Sequence, residues 1–239
     1  MKLPRIRFSR PLAMPIAVLT LASTAMAQPQ GQGRRFTSDL GADQCTFTDE
    51  GRNRFFVLEA GHQTRLAGEI GKHDVEVTAT VLDQTRLVDG VLTRAIEEVD
   101  VVDGSVVEIS RSYHAICRET QDAYVFGREL LVGPGDPDEE GGTEAWQSGV
   151  EGARPGMTMP GRFMLGARYY LELAPGVALD RAENVAMDVA IDTPAGHFDG
   201  CVMTTETSPL EPGEQATLIH AEGIGIVADG GLRLVGWTP

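Results

Sequence analysis

Apolar and polar residues alternate along much of the chain after Phe55. In residues 75–82, VEVTATVL, every second side chain is apolar, which is the period of a strand with one buried face. Asp89-Gly90 and Asp103-Gly104 each stand between two apolar runs, a pattern typical of two-residue hairpin turns. No segment keeps a 3.6-residue period for more than two turns, so the pattern favours strands over helices.

Further strand-like runs follow at spacings of roughly ten residues, which is typical of sandwiches and barrels. They cover residues 123–132, 167–173, 183–191, 198–207, 214–220, 225–228 and 232–235. The short, turn-rich links between them favour antiparallel over parallel pairing. We therefore predict an all-β fold, a single antiparallel meander curled into a barrel or half-barrel, lipocalin-like or lipoprotein-carrier-like in outline. Such a sheet can enclose an apolar cavity.

The N-terminus has the pattern of a secretory signal. Lys2, Arg5, Arg7 and Arg10 precede an apolar run that ends in the small-x-small sequence Ala25-Met26-Ala27. The run is shorter than the roughly 20 residues of a membrane span. We predict a signal peptide over residues 1–27 cleaved after Ala27, a disordered or loosely ordered lead-in over 28–53, and a single all-β domain over 54–239. No cysteine follows the cleavage box, so the sequence does not predict a lipid anchor.

Charge narrows the choice of partners. The chain carries a formal net charge of −15 at pH 7, and loss of the four basic residues of the signal takes it to −19. Such a surface repels nucleic acid and anionic membranes. The predicted location is the periplasm or the medium, with no nucleic acid as a partner and no membrane span.

Three cysteines remain in a compartment that permits disulfides. Cys117 and Cys201 both lie in strand-like stretches, whereas Cys45 lies close to the predicted start of order. We therefore predict a Cys117–Cys201 disulfide and a free Cys45. The alternative is three reduced, buried thiols.

Several short motifs occur in a defined order between residues 55 and 235. They are YVFG at 124–127, GARPGMTMPG at 152–161, TPAGHF at 193–198 and SPLEPG at 208–213. In this order they resemble a family of exported bacterial all-β proteins with GA-PG-MP, TPAG-F and TPLEPG-type motifs. That resemblance implies export and an all-β fold, and it implies no catalytic residue. Here Ser208 stands at the threonine of the last motif.

Two groups of side chains are candidates for ligand contact. Methionines in a Gly-Pro loop and aromatic residues on strands suit an apolar or amphipathic small molecule. These candidates are Met157, Met159, Trp146, Tyr170 and Phe126. The alternative for all five is a place in the core. The thioethers also suit Cu(I), but the sequence predicts no cofactor.

Carboxylates are the other candidates. Glu172 and Glu206, with Asp180, lie on or beside predicted strands, where they could face a lumen and act as acid and base, or face solvent. Four acidic residues also crowd the predicted loop 133–142, namely Asp136, Asp138, Glu139 and Glu140. They could hold Ca²⁺, although the EF-hand spacing is absent and a solvated loop is the simpler interpretation.

The leading functional prediction is an exported binding module for an apolar or amphipathic small molecule. The first alternative is a hydrolase or lyase that uses lumen carboxylates. The second is an envelope structural or interaction protein, and the sequence identifies no protein partner. Gly-x-Ser-x-Gly is absent, so no nucleophile elbow is predicted.

Overall fold

The computed structural model describes residues 35–133 and 145–239. These residues form an all-β fold with one short 3₁₀ helix, Ala42–Gln44. The strands are β1 Phe47–Thr48, β2 Gly51–Asn53, β3 Phe56–Leu58, β4 Gln63–Ile70, β5 His73–Val88, β6 Val91–Val102, β7 Ser105–Cys117, β8 Ala123–Val132, β9 Trp146–Gln147, β10 Gly156–Met159, β11 Arg168–Tyr170, β12 Arg181–Thr193, β13 Gly196–Ser208, β14 Glu211–Ala221, β15 Gly225–Asp229 and β16 Leu232–Thr238. The predicted signal peptide and the first part of the lead-in, through residue 34, lie outside the described residues.

One large antiparallel sheet contains 14 of these strands. Its main path runs β10-β8-β7-β6-β5-β4-β16-β15-β14-β13-β12-β11, with β1 added to β7 and β9 added to β8. Two meanders, β4–β8 and β11–β16, are joined where β4 pairs with β16. The predicted antiparallel meander is confirmed.

The two Asp-Gly turns form as predicted. Val88 pairs with Val91 around the first turn, and Val102 pairs with Ser105 around the second. Both aspartates and both glycines have positive φ angles, with φ 50° at Asp89 and 79° at Gly90. A type I′ turn needs these angles and matches the twist of the strands, which explains why Asp-Gly locates both hairpins.

The predicted barrel does not close. The path ends at β10 and β11, and these two strands share no ladder in the described structure. Near them a single antiparallel bridge links Arg154 to Leu173, with Arg154 N–H donating to Leu173 O at 2.9 Å. We call this junction, between residues 153–156 and 171–174, the seam.

Glycine makes the seam possible. A Cβ placed on Gly156 would lie 1.9 Å from the Leu171 carbonyl oxygen. No side chain fits at that distance from backbone, so the close approach of the two sheet ends requires glycine at this position.

An N-terminal segment, residues 36–48, crosses the outside of the seam, and we call it the strap. Thr37 bridges to Tyr169 of β11, and Phe47 pairs with Cys117 of β7. Between them the Tyr124 hydroxyl donates to the Leu40 carbonyl at 2.5 Å. The strap therefore holds strands from both ends of the sheet.

The predicted disulfide is wrong. Cys45 is bonded to Cys117, and Cys201 is a free, buried thiol. The reason is the strand pairing, because pairing of β1 with β7 brings Cys45 of the strap to the end of β7. Cys201 instead packs in a separate apolar cluster with Leu66 and Val227.

Apolar side chains form three main clusters. The outer cluster packs under the strap and contains alternate residues of β7 and β8, including Tyr113, Tyr124 and Phe126. On the inner face, the first end cluster contains Phe55, Leu58 and Val81, and the second contains Leu66, Val75 and Leu234. Along β5, Val75 belongs to the second of these clusters and Val81, six residues later, belongs to the first.

No helix within residues 35–133 and 145–239 is long and apolar enough to cross a membrane.

The disulfide gives a direct test. Replacement of both Cys45 and Cys117 by serine should lower the free energy of unfolding by about 2–4 kcal/mol, since the bond closes a long loop of the unfolded chain. Cys201→Ser is the matched control and should leave the linked peptide intact. Peptide mapping without reduction would show Cys45 joined to Cys117, whereas a Cys117–Cys201 peptide would contradict the assignment.

Candidate functional site

A cavity of about 490 Å³ lies on the inner face of the sheet. Its walls come from β4–β8, β10, β13–β16 and the segment 171–180. It contacts the first end cluster through Ile96 and the second through Leu66, Val75 and Leu232. A single cavity can contact strands from both meanders only if the sheet curves around it.

The cavity is lined by both apolar and charged side chains. The apolar lining includes Leu66, Val75, Val77, Ile96, Ile226 and Leu232. The charged lining consists of Glu98, Asp100, Glu108, Arg128, Glu172, Asp180, Glu206 and Asp229. Seven carboxylates thus face one guanidinium, and an interior of this kind is unusual because charged groups are expensive to bury.

Strand alternation explains how β6 supplies part of the acidic wall. Ile96, Glu98 and Asp100 point into the cavity, while Glu97 lies on the other face. There Glu97 accepts hydrogen bonds from Arg111, which approaches to 2.8 Å. Two adjacent glutamates therefore have opposite environments, one paired at the outer surface and one in the cavity.

Asp100 is the most perturbed carboxylate with a resolved value. Its Oδ1 is buried and has no hydrogen-bond partner. Burial, followed by the charges of Glu98 and Glu108, raises the pKa of Asp100 to about 7. Asp100 therefore changes charge near neutral pH, which an exposed aspartate does not.

Arg128 is the one Lys or Arg side chain among the lining residues of the described chain. It donates to Glu108 at 2.8 Å and to Ser110 at 3.2 Å. Its charge is therefore directed toward β7, and at Asp100 it only partly offsets the carboxylates.

The two cavity histidines supply no positive charge at neutral pH. Burial lowers the pKa of His114 to about 3 and that of His220 to about 4. His114 Nε2 lies 2.8 Å from Ser112 Oγ, and its Nδ1 lies 3.2 Å from Thr158 Oγ1. A histidine of such low basicity is a poor general base, so we interpret this contact as a hydrogen-bonded wall and not as a nucleophile pair.

The carboxylates predicted from the sequence reach the cavity. Glu172, Asp180 and Glu206 all line it, so the structure favours the lumen alternative over the solvent one. Glu172 lies beside the seam and accepts a hydrogen bond of 3.0 Å from Trp146 Nε1. A catalytic role for Glu172 and Glu206 stays a prediction.

The five predicted ligand contacts lie elsewhere. Phe126 and Met157 pack with the outer cluster, Met159 with the first end cluster, and Trp146 at the seam. Tyr170 contacts the Phe36 ring of the strap. None of the five is among the cavity-lining residues, and a role in ligand contact stays a prediction. The two methionines point to different clusters, so the structure does not bring them together as one copper site.

The predicted acidic metal loop, Asp136, Asp138, Glu139 and Glu140, lies outside the described residues. Within the described residues, three potential metal ligands come within 4.8 Å of one another only at Cys45, Cys117 and Glu119. Two of these are the disulfide cysteines, whose sulfurs are already bonded to each other.

Sequence reasoning missed four of the cavity carboxylates, namely Glu98, Asp100, Glu108 and Asp229. The sequence did contain a signal for part of this set. Ile96, Glu98 and Asp100 are spaced two residues apart, so on a strand they lie on the same face. Strand periodicity, however, assigns polar residues to the solvent face, and here the inner face is itself partly polar.

Neither a protein-family model nor a curated protein sequence matches this chain. The chain is similar in structure to a protein from Parabacteroides distasonis ATCC 8503 that is provisionally described as a lipoprotein. The identity is 12%, the match covers 79% of this chain and 100% of the other, and the TM-score is 0.39. The family resemblance inferred from the motifs stays a prediction.

Asp100 predicts a pH-dependent stability. The pKa of Asp100 is raised to about 7 in the folded protein, whereas its ordinary value, expected in the unfolded chain, is near 3.8. Its stabilising contribution to the folded state is therefore full below pH 3.8 and is lost as the pH rises through about 7. We compare the free energy of unfolding of Asp100→Asn with that of wild type at each pH. This difference should move in favour of the variant by about 1–3 kcal/mol when the pH is raised from 4.5 to 8. Urea titrations at both pH values would measure this.

Asp103→Asn is the control. The pKa of Asp103 is lowered by its hydrogen bond with His73. Between pH 4.5 and pH 8, the stability of this variant relative to wild type should therefore change in the opposite direction or stay constant. Equal effects of Asp100→Asn at the two pH values would contradict the prediction.

Proposed function

We propose that the protein is an exported binding protein for a small amphipathic molecule, which it holds in the interior of a half-barrel. The observation that supports this proposal is the cavity of about 490 Å³, which is lined by both apolar and charged side chains. Binding sites for small molecules are typically concave, mainly apolar and provided with a few polar groups that orient the ligand. The modest volume favours a single small molecule.

Two features support the proposal indirectly. The seam and the strap hold the two ends of the sheet together without a ladder, so the cavity has a wall on that side. The Cys45–Cys117 disulfide is typical of oxidising compartments, which is consistent with export.

The first test is binding of the neutral apolar dye Nile red. We expect wild-type protein to raise its fluorescence saturably, and Ala79→Phe, which fills the cavity from β5, to weaken binding at least tenfold. Thr78→Phe is the matched control, because the neighbouring side chain does not line the cavity and should leave the affinity unchanged. Circular dichroism would establish that both variants fold. If Ala79→Phe bound the dye as tightly as Thr78→Phe and wild type do, the dye would lie outside the cavity.

A hydrolase or lyase that uses carboxylates is the second candidate, and the shared exposure of Glu172 and Glu206 to one cavity favours it. Paired carboxyl groups flanking a bond can act as acid and base or as nucleophile. If a screen of glycosides and esters finds turnover, Glu172→Gln and Glu206→Gln should each reduce kcat at least 100-fold. Unchanged turnover in either variant would exclude that residue from catalysis.

A further inference from the structure

Asp100 occupies a position where a carboxylate is costly. Its Oδ1 is buried and accepts no hydrogen bond. An unsatisfied buried oxygen costs more than a hydrogen-bonded one, because nothing replaces the water it has lost. A bound group that brings positive charge to this carboxylate would relieve that cost.

The groups around Asp100 increase the need for a cation. Glu98 lies on the same face of β6, Glu108 is the register partner on β7, and Asp229 of β15 also acts on it. Among the described residues, Arg128 is the positive charge that acts on Asp100, and it also donates to Glu108. The histidines of the cavity stay neutral because burial lowers their pKa.

The surroundings favour an organic cation over a metal ion. Among the described residues, these carboxylates do not form a group of three potential ligands within 4.8 Å of one another, as a metal ion would need. Directly across the ladder from Asp100 is Val77, and Val75 lies two residues along the same strand. A charged site therefore adjoins an apolar wall.

We propose that this part of the cavity binds a primary ammonium group carried on an aliphatic chain, with Asp100 as the counter-ion and the chain lying along Val75 and Val77. The inference rests on the proposed function and specifies its ligand class. An alkylammonium keeps its charge up to about pH 10, so its affinity should follow the ionisation of Asp100. Affinity should rise as the pH increases from 6 to 8, in step with the raised pKa of Asp100.

The experiment compares three ligands of equal chain length, namely octylamine, octanol and octanoate. Isothermal titration at pH 8 should show octylamine bound at least tenfold more tightly than the other two. Asp100→Asn should weaken octylamine at least tenfold and leave octanol unchanged. Glu97→Gln, which removes a carboxylate from the outer face of the same strand, is the control and should change neither.

Each other outcome has a separate meaning. If octanol or octanoate binds as tightly as octylamine, or if Asp100→Asn retains full octylamine affinity, the inference is overturned while the binding function stands. If none of the three ligands binds and Nile red also fails, the proposed function falls with it. Displacement of Nile red by octylamine would show that both occupy one cavity.

Discussion

The cavity depends on one constraint, which is that the two ends of the sheet must meet without sharing a ladder. β10 and β11 have no continuous pairing, so the backbone hydrogen bonds that normally close a barrel are missing there. Three contacts replace them. Arg154 bridges to Leu173, Gly156 allows the backbones to touch, and the strap crosses the junction from outside. These contacts join the two ends of the sheet around the cavity.

The interior combines two demands that usually conflict. The two end clusters supply much of the hydrophobic burial that stabilises the fold. The same face also carries carboxylates, whose burial opposes folding. Proteins commonly accept such local cost at binding sites, because the same groups that destabilise the empty protein attract its ligand.

Much of the fold could be predicted because its signals are local. Asp89-Gly90 and Asp103-Gly104 define their hairpins through backbone angles, and β8 is predicted to the residue. The disulfide could not be predicted in this way, because its partner choice follows from pairing of the two-residue strand β1, too short to show a period. The closure of the sheet and the acidic wall of the cavity were not predicted for a related reason. Whether β10 meets β11, and whether Glu98 or Glu97 faces inward, depends on contacts between residues distant in the sequence.

The order of the three cysteines along the chain has a consequence for biosynthesis. Cys45 and Cys117 both leave the ribosome or a translocation channel before Cys201, the thiol that remains free. When oxidation accompanies emergence of the chain, the correct pair can form while the competing thiol is still sheltered. Once the second meander folds, Cys201 is buried and no longer accessible for thiol exchange. The linear order of the sequence thus guards against mispairing, and a circular permutant that placed Cys201 first would lose that protection.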